Sequence, residues 1–297
     1  MAGVARGGTT SLAYCLGQHP DVFMSPVKEP HFFTRYHPDW LAVPKDESAY
    51  LELFRQGSGA KYRCEATAAY FWDRGSAGAI RGASPEARIV ISLREPVDRA
   101  YSEYLLLRRS TYEQRPSFLA AVSEEMQLPG DEHDDDPRHN YVARGLYAEG
   151  VARFFDTFGR DHVHVLFFEE FVANPQAELR ELYGFLGLDP EWAERVDLTG
   201  RNRGGVARNK LAEKLLYSPP ARIAARWIIP PIARSSIERA LMKPPDPDVE
   251  VTEATKRLRH LYARDQRRLE RLLRRAVPWE SKLGAIRVET SSDSYSA

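Results

Sequence analysis

Gly3-Val4-Ala5-Arg6-Gly7-Gly8-Thr9-Thr10-Ser11-Leu12 is the stretch that decides the fold. Paired glycines let a backbone turn tightly and approach a ligand closely. Thr9, Thr10 and Ser11 then open a run with Leu12 and Leu16 at helical spacing, which predicts a helix from Thr10 to about Gln18, before His19-Pro20. A loop feeding a helix N-terminus is an anion site, because free amides point outward and the helix dipole adds partial positive charge.

The nucleotide P-loop pattern is G-x-x-x-x-G-K-[ST]. Gly3 and Gly8 stand at its glycine positions and Thr10 at its hydroxyl position, but Thr9 replaces the lysine and a cation, Arg6, stands inside the loop. A kinase or ATPase loses its phosphate-reaching lysine here. One phosphate carrying one transferable group, with a cation at its shoulder, fits better.

Further along, Arg88-Ile89-Val90-Ile91-Ser92-Leu93-Arg94 is a β-branched apolar run between polar flanks, the composition of a fully buried strand. It ends in Arg94 and not in an acidic residue for magnesium. Pro96 starts the next helix. Lys61–Ala66 and His162–Phe168 read as further strands, Asp46–Phe54 as a short helix, and Asp21–Pro38 as a loop. Tyr141–Phe158 reads as one helix. Asn174-Pro175 is a helix start with Gly187 as its stop. Thr252–Arg275 is a long amphipathic helix, with its arginines on a solvated face. Pro129–His139, rich in Asp and Glu, reads as a solvated loop that could border an acceptor cleft, and it lacks coordination spacing, so no metal is expected.

The chain has 297 residues, 43% hydrophobic and 11% aromatic, enough for a large core. Lys+Arg and Asp+Glu are both 42, so net charge gives no prior for nucleic acid or an acidic polymer. The two cysteines, Cys15 and Cys64, are too few for a disulfide framework, and a reducing, cytoplasmic setting is the default expectation. No apolar run reaches the roughly 18 to 20 residues of a membrane span. A P-loop needs a strand before it, and only residues 1–4 precede this one, so the expectation is a natural start further upstream. One domain is expected over 1–280, followed by a mobile tail over 281–297.

Three motifs together carry a family resemblance. The first loop resembles the 5′-phosphosulfate loop of sulfotransferases that use 3′-phosphoadenosine 5′-phosphosulfate (PAPS), in which a lysine and one residue precede G-T-T-S; here Arg6 takes the lysine's place. Lys28-Glu29-Pro30-His31-Phe32-Phe33 resembles the K-E-P-x-F-F segment of the glycan, heparan-sulfate-type branch and its bacterial relatives. Arg94 to Tyr104 resembles the 3′-phosphate motif R-x-P-x-x-R-x-x-S-x-Y. Cys64–Tyr70 is similar to G-E-K-T-P-x-Y, with Ala66 and Ala68 departing from it.

The resemblance implies a P-loop NTPase-like α/β fold, a central parallel sheet flanked by helices. It implies PAPS as donor, held by Arg6, Gly7, Gly8, Thr9, Thr10, Ser11, Arg94 and Ser102, with Arg203 as a looser match in a pocket-closing loop. Glu29 is the implied base. His31 orients either the acceptor or Glu29, and Arg6 neutralises charge on the 5′-phosphate. The expected reaction moves a sulfuryl group to a hydroxyl or amine of a glycan, glycolipid or small metabolite. The alternative is a catalytically degenerate protein that binds PAPS or its product PAP.

Overall fold

The structure is a computed structural model and describes residues 1–35, 43–44, 46–109, 112–128, 140–198, 206–207, 242–243 and 249–279. In chain order the helices are α1 (Thr9–Leu16), α2 (Glu47–Glu52), α3 (Ser76–Ala83), α4 (Pro96–Arg109), α5 (Phe118–Glu125), α6 (Ala148–Phe158), α7 (Phe168–Ala173), α8 (Pro175–Leu186) and α9 (Val249–Leu273). The strands are β1 (Val22–Met24), β2 (Tyr62–Cys64), β3 (Ile89–Leu93), β4 (Val163–Phe167), β5 (Val206–Ala207) and β6 (Met242–Lys243).

β1 pairs with β2 and β3 with β4, both parallel, Leu93 lying opposite Phe167. Residues 1–4 join the two pairs. The Ala2 and Val4 amides donate to the Val90 and Ser92 carbonyls, and the Thr67 amide just beyond β2 donates to the Met1 carbonyl. The resulting order is β1, β2, segment 1–4, β3, β4, all running one way. β3 therefore has a parallel neighbour on each side, as its largely apolar, β-branched composition predicts. β5 and β6 form a separate antiparallel pair.

Helices cover both faces of the parallel layer. Ile89, Ile91 and Leu93 alternate onto one face with Val151, Phe154 and Phe158 of α6 and Ala77 and Ile80 of α3. Val90 points the other way, into Leu12 and Leu16 of α1 and Leu179, Leu182 and Leu186 of α8. This is the period-two alternation of a strand buried on both sides. A third cluster joins α4, α5 and α9 through Tyr101, Tyr104, Phe118, Leu258 and Tyr262.

Two elements differ from the sequence reading. Val22–Met24, inside the expected loop, is a strand: its amide and carbonyl groups are taken up by Tyr62–Cys64, a tertiary pairing that three residues of local propensity do not announce. The expected helix over 141–158 begins only at Ala148. Asp265 of α9 accepts the Tyr147 amide at 2.8 Å and caps the helix there, while the Tyr262 hydroxyl donates to the Val142 carbonyl at 3.0 Å and holds the preceding residues in a separate turn. The α8 boundaries match their signals: the Asn174 side chain accepts from the Ala177 amide, and Gly187 closes the helix at φ 61°. Pro129–His139, Arg203 and 281–297 lie outside the described residues.

Candidate functional site

All five parallel segments deliver their carboxyl ends to one edge, where open α/β sheets bind ligands. Arg6 follows segment 1–4, Glu29 and His31 follow β1, Thr67 follows β2, Arg94 ends β3 and Phe168 follows β4. That edge holds every described residue singled out from the sequence except Ser102, which α4 carries back to it.

The loop is built around Gly8. It sits at φ 82°, and a Cβ there would stand 2.6 Å from the Phe168 ring. The Gly7 amide donates to the Val4 carbonyl, and the Ser92 hydroxyl donates to the Gly7 carbonyl at 2.5 Å. α1 then begins with no side-chain cap and no acidic residue in its first turn. Its leading amides at Thr9 and Thr10 stand in the positions that lack an intrahelical acceptor.

Two guanidinium groups and a hydroxyl close on this loop. Arg6 Nε donates to Ser102 Oγ at 3.0 Å, across 96 residues. Arg94 Nη1 donates to the Arg6 carbonyl at 3.1 Å, and its guanidinium lies 5.0 Å over the Phe168 ring. Arg94 Nε is buried and finds no acceptor among the described residues. An unmet cationic donor and uncapped helix amides along one edge suit a ligand with more than one phosphate, because each supplies N–H groups and positive charge to an anion. The Tyr147 hydroxyl donates to the Arg94 carbonyl at 2.9 Å and fixes the strand end.

Glu29 belongs to a second cluster. Its amide donates to the Ala66 carbonyl, which carries the chain across the end of β2. Lys28 Nζ lies 2.5 Å from Glu29 Oε1, and His31 Nε2 lies 3.5 Å from Oε2. Burial pushes the Glu29 carboxyl up, but the hydrogen bonds from His31 and Lys28 and the Lys28 charge outweigh it and hold it below its ordinary value. Phe32 stacks on Tyr50 at 4.3 Å and Phe33 meets Tyr70 edge-on, so both aromatics build the wall behind the turn.

Backbone strain links the two clusters. Among the described residues, four that are not glycine have positive φ: Arg6 at 69°, Glu29 at 60°, His31 at 55° and Arg274 at 56°. Arg274 follows the end of α9. The other three are the residues assigned catalytic roles from the sequence. Left-handed backbone at residues with a Cβ costs about 1–3 kcal/mol each and survives where the surroundings over-determine it.

The sequence reading assigned no role to several groups that shape this edge. Ser92 holds the loop from inside β3. Phe168 underlies both Gly8 and Arg94. Glu65, Thr67 and Tyr70 form a buried hydrogen-bonded group beneath His31. Their signal was the Cys64–Tyr70 stretch itself, in which an acidic residue stands between otherwise apolar and small neighbours. Among the described residues, no helix is long and apolar enough to cross a membrane.

Comparison with known proteins bears on the family and the fold. Heparan sulfate glucosamine 3-O-sulfotransferase 6 of Mus musculus is 31% identical over 188 residues, 63% of this chain and 51% of that protein. Carbohydrate sulfotransferase 15 of Homo sapiens is 26% identical over 267 residues, 70% of this chain and 46% of that one. The chain thus spans about half the length of the curated relatives it matches. A crystal structure of a sulfotransferase from Alicyclobacillus acidocaldarius superposes with a TM-score of 0.67 at 30% identity, covering 93% of this chain and 95% of that one. Residues 25–194 match the family model described as Sulfotransferase family. The chain belongs to the sulfotransferase family.

Proposed function

We propose that this protein transfers a sulfuryl group from PAPS to a hydroxyl or amine of a glycan, glycolipid or small metabolite. The observation that carries the reading is the convergence of Arg6, Arg94 and Ser102 on the uncapped start of α1, at the sheet edge that also bears Glu29. The loop amides and Arg6 hold the 5′-phosphosulfate. Arg94 and Ser102 hold the 3′-phosphate, Arg94 through a guanidinium fork already braced on Phe168.

Sulfuryl transfer is an in-line displacement with charge spread over the group in flight. The acceptor oxygen or nitrogen forms a bond to sulfur. The bond from sulfur to the 5′-phosphate oxygen breaks, and PAP leaves with that electron pair. Glu29 takes the acceptor proton, and its depressed pKa keeps it ionised at neutral pH. His31 holds the second carboxylate oxygen, so the ring orients the base. Arg6 stabilises the charge that gathers on the departing phosphate, and arginine serves here because the task needs charge and not a proton.

Ala66 favours a second reading, binding of PAPS or PAP without turnover. It stands where the resembling motif has a lysine, and it is buried, so it offers no cation to an acceptor. Incubation with radiolabelled PAPS, using heparan sulfate and a metabolite extract as separate acceptors, separates the two. Labelled product that disappears in Glu29→Gln supports transfer. PAP binding by calorimetry with no labelled product in either mixture supports the binding protein.

A further inference from the structure

We infer that Glu65 is a positioning residue for the Glu29–His31 turn, acting through the hydroxyls of Thr67 and Tyr70. This rests on the reading of Glu29 as the base. Glu65 is buried just beyond β2. Its Oε2 accepts from Thr67 Oγ1 at 2.8 Å, and its Oε1 accepts from the Tyr70 hydroxyl at 2.6 Å and the Tyr50 hydroxyl at 3.5 Å. A hydroxyl has one proton to donate. With both protons committed to the carboxylate, Thr67 and Tyr70 present only lone pairs to their other neighbours.

Those neighbours are two amides of the strained turn. The His31 amide donates to Thr67 Oγ1 at 3.5 Å, and the Phe33 amide donates to the Tyr70 hydroxyl at 3.3 Å. The Glu29 amide donates to the Ala66 carbonyl at 3.0 Å, from the same segment. One carboxylate therefore sets the acceptor direction of two hydroxyls, and these hold the backbone on which Glu29 and His31 meet.

A glutamine at this position would not serve. Its NH2 group is a donor, so one hydroxyl would have to accept from it, and that hydroxyl's own proton would lose the acceptor Glu65 supplies. The far end of the turn is anchored separately. Asp73 accepts from the Thr34 hydroxyl and the Arg35 amide, both at 2.6 Å, and the Ser76 hydroxyl donates to the Phe33 carbonyl at 2.7 Å. Loss of Glu65 should thus loosen His31 to Phe33 and leave the sheet in place.

Amide hydrogen exchange on the full chain tests this without an acceptor. In Glu65→Gln, the His31 and Phe33 amides should exchange at least about tenfold faster, while Ile91 and Leu93 of β3 stay within about twofold. Thr67→Val, nearly isosteric, should free His31 alone, and Thr67→Ser should restore it. Unchanged exchange at His31 and Phe33 overturns the inference, as does an equal rise through β3, which would mark a general loss of stability. The second arm uses radiolabelled PAPS with heparan sulfate. Glu65→Gln should lower kcat at least about tenfold with the KM for PAPS unchanged, and should add nothing in a Glu29→Gln background. An additive effect there also overturns it. If the wild type transfers no sulfate to heparan sulfate, that acceptor is excluded, and the exchange arm alone decides whether Glu65 holds the turn.

Discussion

Gly8→Ala separates the two constraints that shape the anion loop. A β-carbon at φ 82° puts an L-residue in left-handed backbone, which costs about 1–2 kcal/mol. The same carbon would stand 2.6 Å from Phe168 Cδ2 and 3.0 Å from Cε2, so the ring must shift. Overpacking of this kind typically costs about 1–3 kcal/mol. Together the expected loss is about 2–5 kcal/mol. Phe168→Ala removes the whole ring, so in that background Gly8→Ala should cost only the backbone share, about 1–2 kcal/mol. Urea unfolding of the four proteins measures the cycle. PAP calorimetry measures the consequence: displacing the Thr9 and Thr10 amides by about an ångström should cost on the order of a hundredfold in function and at least about tenfold in affinity. If Gly8→Ala leaves both the urea midpoint and PAP affinity unchanged, the loop is not built as described, and the anion site must be sought elsewhere on the edge.

Arg94→Ala should weaken PAP binding about ten- to a hundredfold, the worth of a charge-assisted contact, with little change in melting temperature; equal affinities by calorimetry would remove Arg94 from the site. Glu29→Gln should keep PAP affinity while losing at least about a hundredfold in turnover. Because its folded-state pKa is depressed, Glu29 contributes stability that is present above its unfolded value and is lost as pH falls through the folded one, so Glu29→Gln should narrow the gap between neutral and acid melting temperatures. Glu95 runs the other way. Burial, with the Asp98 and Glu169 charges, raises it to about 7 against the Asp98 amide bond and Arg259, so stability falls as pH rises from its unfolded value towards 7. Glu95→Gln, which keeps an oxygen for the Asp98 amide, should therefore stabilise by up to about 3 kcal/mol at pH 8 and lose that advantage near pH 4; a flat difference across thermal melts would contradict the burial account.

The elements whose signals are local were readable from the chain. Arg88–Leu93 announces a buried strand by composition, Asn174-Pro175 and Gly187 bracket α8 by their capping chemistry, and Gly7-Gly8 before three hydroxyl residues announces a loop and helix start. What the chain does not announce is what tertiary neighbours impose. Val22–Met24 becomes a strand because Tyr62–Cys64 lies beside it, and α6 starts at Ala148 because Asp265, more than a hundred residues on, takes the amides. The same holds at the site. Glu29, His31 and Arg6 could be named from motif, but their shared left-handed backbone, and the Glu65 group beneath them, arise from contacts between segments.

The order of the parallel layer has a consequence for how the protein is made. Segment 1–4 leaves the ribosome before either of the segments it pairs with, yet it lies in the interior of the layer, between the residues just after β2 and β3. Its partners are Glu65–Thr67 and Val90–Ser92, and the groups that hold the loop, Ser92 and Arg94, come later still. Until about residue 94 has cleared the exit tunnel, residues 1–10 lack the β3 side of their pairing and the groups that hold the loop. Such long-range pairing slows folding, because loops must close before contacts reward them. A ribosome stalled before Arg88 should carry a chain that captures no PAP, however long it waits. The anion cradle is synthesised well before the strand that shapes it, and it is among the last parts of the layer to close.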